Sequence, residues 1–168
     1  MKKDIDLSHD LLEISQVLSQ SFDLTHLLNC IWEFVFQKLQ APIFFVGLYN
    51  EQTDKLNFEI AYNMGVKEDI KPMVLHKQKK PSIASYVITH REPLIWLDAN
   101  EKKAIITKKK IEPKRFGAKP SVTAYTCPLE FDNKVLGVFS IQSDQPNVWD
   151  EQETQYIEIM ANLLSITI

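Results

Sequence analysis

Fourteen of the nineteen Lys and Arg residues fall between positions 66 and 120, alongside six acids, a local charge of +8 in a chain of net charge −3. The rest of the chain carries −11. Cations gathered this way suit a local anion site, and the same run also fits a solvated lysine face. Nucleic acid is not the expected partner, because the whole chain is acidic and only Tyr86, Trp96 and Phe116 interleave the basic stretch. The four glycines, Gly47, Gly65, Gly117 and Gly137, are at least 18 positions apart, so no phosphate-cradling glycine loop exists. Cys30 and Cys127 stand 97 apart and form no metal or redox motif. Cys30 reads as a small core residue of a helix, and Cys127 as a pocket-wall residue with no resolving thiol. His9, His26, His76 and His90 are scattered, which predicts neither a metal nor a haem site.

The elements that position these residues follow from periodicity. Leu7, Leu11, Ile14 and Leu18, at steps of four, three and four, predict a helix over 7–21. A second helix is expected over about 25–40, capped by Asp23 or Thr25 and stopped by Ala41-Pro42. Strands follow at Ile43–Tyr49, Leu56–Tyr62 and Pro72–His76. Ser82 is a good cap for a helix carrying Ile83, Tyr86 and Val87. A brief strand at Pro93–Leu97 precedes a polar, Lys-rich loop over 98–118 with a short helix in it. Two strands, 122–131 and 134–143, meet at the two-residue turn Asp132-Asn133. Asp150 to Glu153 resembles a capping box, opening a helix striped by Tyr156, Ile157, Met160, Leu163 and Leu164. The order predicts an α+β fold with a largely antiparallel sheet, residues 1–22 forming a helical extension and 23–168 the domain. With 45% hydrophobic residues, no long apolar run, and Lys2-Lys3 followed by Asp4 and Asp6, a soluble cytoplasmic chain is expected.

If Phe131 pairs with Lys134, one face of the hairpin carries Leu129/Leu136, Cys127/Val138, Tyr125/Ser140 and Thr123/Gln142. The other carries Ala124/Ile141 and Thr126/Phe139. The polar end of the first face, with Thr123, Tyr125 and Ser140, suits a pocket wall or a solvent-facing edge.

Three stretches together resemble a GAF domain. Ser82 to Asp98, ending Glu92-Pro93-Leu94-Ile95-Trp96-Leu97-Asp98, is similar to the segment where a helix gives way to "G-x-P-L" and a strand ending in Asp. Tyr125 to Ser140 resembles the closing hairpin "V-P-L … G-V-L", and Trp149 to Glu153 resembles the start of the last helix. The resemblance implies a six-stranded, mostly antiparallel sheet, with the N- and C-terminal helices on one face. A ligand pocket would lie on the other face, under loops and short helices.

Carried over position by position, the resemblance puts a purine-stacking aromatic at Tyr62 and its polar neighbour at Asn63. Anion-binding backbone amides fall at Ile83 and Ala84 beside Ser82, and further pocket residues at Phe44, Ser121 and Ser140. The loop from Asp98 to Lys119 would be the lid. The signature of the phosphodiesterase type, Asn-Lys then Phe-x-x-x-Asp-Glu, is replaced here by Gln142-Ser143 and Val148…Gln152-Glu153. The implied role is a non-enzymatic regulatory domain of a bacterial-type signalling protein that binds a small anion, a cyclic nucleotide above all. Here cAMP is taken ahead of cGMP on no diagnostic residue. No other cofactor and no membrane partner is expected. The alternatives are a ligand-free dimerisation module and, third, a free methionine sulfoxide reductase. A homodimer through Leu7, Leu11, Ile14, Leu164 and Ile168 is expected, and the helical pattern running to Ile168 suggests an absent output domain such as a diguanylate cyclase or kinase.

Overall fold

The computed structural model describes residues 7–20, 23–114 and 119–168; the side chains of Leu7, Ser8, Leu11, Val17 and Leu18 lie outside the described residues. The chain opens with helices α1 (Leu7–Gln20) and α2 (Leu24–Lys38). Asp23 rather than Thr25 caps α2, its carboxylate accepting from Thr25 N at 2.9 Å. Strands β1 (Ile43–Asn50), β2 (Lys55–Asn63), β3 (Val66–Lys67) and β4 (Met73–Val74) follow. Then come α3 (Ile83–His90), β5 (Leu94–Trp96), α4 (Ala99–Lys109), β6 (Thr123–Phe131), β7 (Lys134–Ser143) and α5 (Glu151–Thr167). Asp150 and Glu153 close a true capping box at the start of α5.

The strands form one antiparallel sheet in the order β3-β2-β1-β7-β6-β5, and β4 also pairs with β2. The seventh strand, β3, was not expected; it is two residues long, too short to show a period. It follows β2 through the turn Met64-Gly65, where both residues have positive φ, as two-residue hairpins require.

The sheet separates two cores. On one face Leu28, Ile31 and Val35 of α2, with Ile157, Met160 and Leu164 of α5, pack on Phe44, Val46, Phe139 and Ile141. On the other, Val87 and Ile88 of α3 join Leu56, Leu75, Trp96, Ala124 and Val138. Trp149 ties the helical layer together, donating its indole N–H to Leu39 O at 2.7 Å. Ile14 and Leu164, expected at a dimer surface, are buried in this chain's own core. Of the other three, Ile168 is exposed, and the Leu7 and Leu11 side chains lie outside the described residues. Among the described residues no helix is long and apolar enough to cross a membrane.

The hairpin register departs from expectation. Phe131 does pair with Lys134 and Glu130 with Val135, but Leu129 then faces Gly137, so Leu136 is an extra residue in a β-bulge. Because side chains alternate with period two, this single residue reassigns every later pair. Tyr125 faces Ile141, and Cys127 faces Phe139, both against the helices. Thr126 faces Ser140, and Ala124 faces Gln142, on the opposite side.

Candidate functional site

That opposite side holds a cavity of about 260 Å³. Its floor is the ends of β1 and β2, its roof the start of α3, Lys102 of α4, Pro113 and Lys114, and residues 119–121. Ile43, Phe45, Ile70 and Met73 make most of it apolar, and polar groups enter at a few points. This combination suits a compact ligand with an apolar body and a charged end.

The start of α3 supplies the first polar group. Ser82 is extended (φ −71°, ψ 170°), and its hydroxyl oxygen accepts from Ser85 N at 3.1 Å while donating toward Met73 Sδ at 3.4 Å. Ser82 is therefore committed to shaping the turn. The next two amides, Ile83 and Ala84, have no acceptor within the helix and line the cavity. Two such N–H groups at the positive end of a helix dipole favour an anion.

Lys102 supplies the second. Asp98 caps α4 by accepting from Asn100 N and Glu101 N, both at 2.8 Å. No residue of α4 is fully buried; Ile105 and Ile106 pack, half-buried, on the core of this face, and polar ties add to them. Lys102 Nζ donates to Ser121 O at 2.6 Å, stands 3.5 Å from Ser121 Oγ, and lies 5.9 Å from the centre of the Trp96 ring. No carboxylate of the described residues pairs with it, and burial holds the ammonium below the usual lysine range. Lys109, two turns further along the same side of α4, is the opposite case, bonded to Glu92 Oε1 at 2.6 Å and to Tyr86 Oη at 2.9 Å.

A buried polar chain supplies the third. Thr126 Oγ1 and Ser140 Oγ lie 2.7 Å apart, and Gln142 Nε2 donates to Ser140 Oγ at 2.8 Å. This chain orients the Gln142 amide in the cavity wall. Asn63 Nδ2 donates to Lys119 O at 3.3 Å and joins the end of β2 to the roof.

Of the residues expected at the site, Phe44, Tyr62, Asn63, Ser82, Ile83, Ala84 and Ser121 do meet around this cavity. The ring of Tyr62 is not the free platform the resemblance implied. It stacks on Trp32 of α2, centroids 4.1 Å apart and planes within 4°, and its hydroxyl reaches Asn29 Oδ1 at 3.5 Å. Phe44 turns the same way, into Trp32 and Phe139. Three residues are not at the cavity. Tyr125 faces the helices. Thr123 donates to the carbonyls of Leu97 and Gln145 at 2.8 and 2.7 Å. Ser140 sits behind Gln142 and acts through it. The bulge at Leu136 is the reason Tyr125 and Thr123 were assigned to the wrong face. Lys102 and Phe45 were not singled out: Lys102 is one of fourteen cations in the basic stretch, and Phe45 one residue in an apolar run. Residues 115–118 of the expected lid lie outside the described residues.

Neither thiol reaches the cavity. Cys127 is buried on the helical side, and burial first, then Glu158, pushes its thiol up to about 12. Cys30 is partly exposed beside His26 Nε2 (3.7 Å), its pKa raised by burial and Glu33. At pH 8 a thiol reagent is therefore expected to modify Cys30 and to reach Cys127 only on unfolding, because Cys127 is neutral and covered. Peptide mass spectrometry of the labelled protein checks this. Prompt labelling of Cys127 in the native state would contradict its burial.

The sheet is covered by helices on one face and carries a roofed cavity on the other, an arrangement that defines an α+β domain of GAF-like architecture. A family model described as GAF domain matches residues 23–168, and the chain belongs to that family. Among solved structures it is similar to the GAF domain of an Acinetobacter phosphoenolpyruvate-protein phosphotransferase, at 15% identity over 96% of this chain and 92% of that one, with a TM-score of 0.68. It is also similar to the free methionine-R-sulfoxide reductase of Neisseria meningitidis in complex with its substrate (14%, 96% and 87%, TM-score 0.69). A third similar structure is a methyl-accepting chemotaxis protein (17%, 92% and 93%, TM-score 0.68). At these identities the likeness is one of fold. No curated protein matches the chain.

Proposed function

We propose that this GAF domain is a regulatory module that binds one small organic anion in the cavity, and that a cyclic nucleotide is that ligand. The carrying observation is Lys102, a half-buried ammonium with no carboxylate partner among the described residues, lining the same cavity as the unengaged amides of Ile83 and Ala84. A phosphate bridging them satisfies both. The apolar body lies against Phe45 and Met73, with Phe45 replacing Tyr62 as the aromatic contact, and Gln142 offers an amide to a base edge. Binding rather than turnover is favoured because both thiols lie on the opposite face of the sheet, away from any ligand held here. We place signal output at α1 and α5, whose exposed Leu12, Ile159 and Ile166 offer a surface to a second copy of the chain.

Thermal unfolding with added nucleotide tests this reading. At about 100 times the dissociation constant, ligand linkage adds about 2.7 kcal/mol. For a domain of this size that raises the melting point by about 5–11 °C. The shift is expected with cAMP or cGMP, to be much smaller with AMP or adenosine, and to persist in a Cys30→Ser/Cys127→Ser double variant. No shift with either cyclic nucleotide at millimolar concentration would leave a ligand-free dimerisation module as the better reading. Thiol-dependent turnover of methionine sulfoxide would restore the enzyme.

A further inference from the structure

We propose that α1 carries a divalent transition-metal site formed by His9, Asp10 and Glu13, with zinc as the fitting ion. One ligand atom from each of the three lies within 4.8 Å of the others. His9 and Glu13 are four positions apart, one helical turn, the spacing at which two side chains can share an ion. Around tetrahedral zinc, N and O ligands at about 2.0–2.2 Å stand about 3.4 Å apart. Closing to that distance takes modest torsions in His9 and Glu13, both of which are exposed.

The case for a cation comes from Asp10. It is only 5% exposed, and its Oδ2 has no hydrogen-bond partner among the described residues. No lysine or arginine of the described residues pairs with it; His9 Nδ1 stands 4.0 Å from Oδ1. A buried carboxylate oxygen without a donor is unfavourable unless a cation or a proton meets it. Glu13 adds a second negative charge at the same place, which favours a cation further.

Tyr156 of α5 is an independent sign. Its hydroxyl is buried and likewise has no partner among the described residues. Burial first, then the negative charges of Asp10 and Glu13, hold the phenol above its ordinary range. A carboxylate turned onto a metal ion presents its second oxygen to a neighbouring donor, a role open to the unpartnered Tyr156 hydroxyl. The imidazole selects a transition metal over calcium or magnesium, whose sites are built from oxygen alone. Water completes the coordination. All three ligands belong to α1, which packs against α5, so the ion stabilises the helix that makes this contact. The scatter of histidines along the sequence concealed the site, because two of its three ligands are acids.

The test is a zinc titration of the full chain, stripped with a chelator and desalted, against a competing metal indicator. The expected result is one equivalent of zinc per chain. His9→Ala and Glu13→Gln are each expected to weaken binding by about tenfold or more, and zinc raises the melting point of the wild type but not of the double variant. Both positions are at the surface, so the variants keep the fold, and their melting in chelator is the control. Cobalt in place of zinc is expected to give a visible absorption band that disappears in His9→Ala. The proposal is overturned if the wild type takes up no stoichiometric zinc. It is equally overturned if zinc binds with the same affinity in the double variant, which would place the ion on other residues.

Discussion

Gly137→Ala is expected to cost at least about 3 kcal/mol of stability, the largest effect of any single methyl in this domain. Gly137 lies in β7 at the centre of the sheet, paired with β1 on one side and β6 on the other. A Cβ built there falls on the carbonyl oxygen of Gly47, with Gly47 C at 3.0 Å and Leu48 Cα at 3.1 Å. All three are backbone atoms of a central strand, so no rotamer change relieves the clash and β1 must move. Overpacking typically costs about 1–3 kcal/mol when side chains alone adjust, and more when backbone is displaced. Gly47→Ala is the control. Its Cβ meets Leu56 Cδ1 at 2.8 Å, the far end of a side chain that can turn, so about 1 kcal/mol is expected. Urea unfolding of the two variants gives the comparison. A Gly137→Ala protein as stable as Gly47→Ala would mean that β1 and β7 do not approach as closely as described.

Lys102→Met is expected to weaken binding of the cyclic nucleotide by about 10- to 100-fold, which is the range for losing a charge-assisted hydrogen bond. The apo domain is expected to keep its stability or gain slightly. At neutral pH the wild type carries a half-buried ammonium that burial disfavours, and a methionine of similar length removes that penalty while retaining the contact with Trp96. Opposite signs for binding and stability separate a ligand-holding residue from a structural one. Lys109→Met provides the reference, since Lys109 already bonds to Glu92 and Tyr86 and should leave affinity unchanged. Calorimetric titration with cAMP or cGMP measures both. Equal affinities in the two variants would remove Lys102 from the anion site.

Where local chemistry specifies an element, it could be read in advance. Asp132-Asn133 makes the hairpin turn with both φ values positive, and Asp150 with Glu153 caps α5, whereas α2 ends at Lys38, ahead of Ala41-Pro42, with Gln40 at positive φ. Seven of the ten candidate residues lie around the observed cavity, Ser82, Ile83 and Ala84 from the first GAF-like stretch and Phe44, Tyr62, Asn63 and Ser121 by position-by-position likeness to the family. By itself the sequence determined the element order and the α+β class.

What remained depended on contacts between residues distant in sequence. The bulge at Leu136 leaves no compositional mark, yet one extra residue in a period-two strand moved Tyr125 and Cys127 to the helical face. Tyr62 could not be known to be occupied until α2 brought Trp32 onto it across the sheet. Nothing along the chain distinguishes Lys102 from its thirteen basic neighbours in the stretch. Only the packing of α4 beside Trp96 and Ser121 strips its water without supplying a carboxylate, and Asp10 becomes a buried carboxylate only once α1 packs on the rest of the chain. Charge is a property of the residue, but its cost depends on what folding places around it, and that environment is decided by tertiary structure alone.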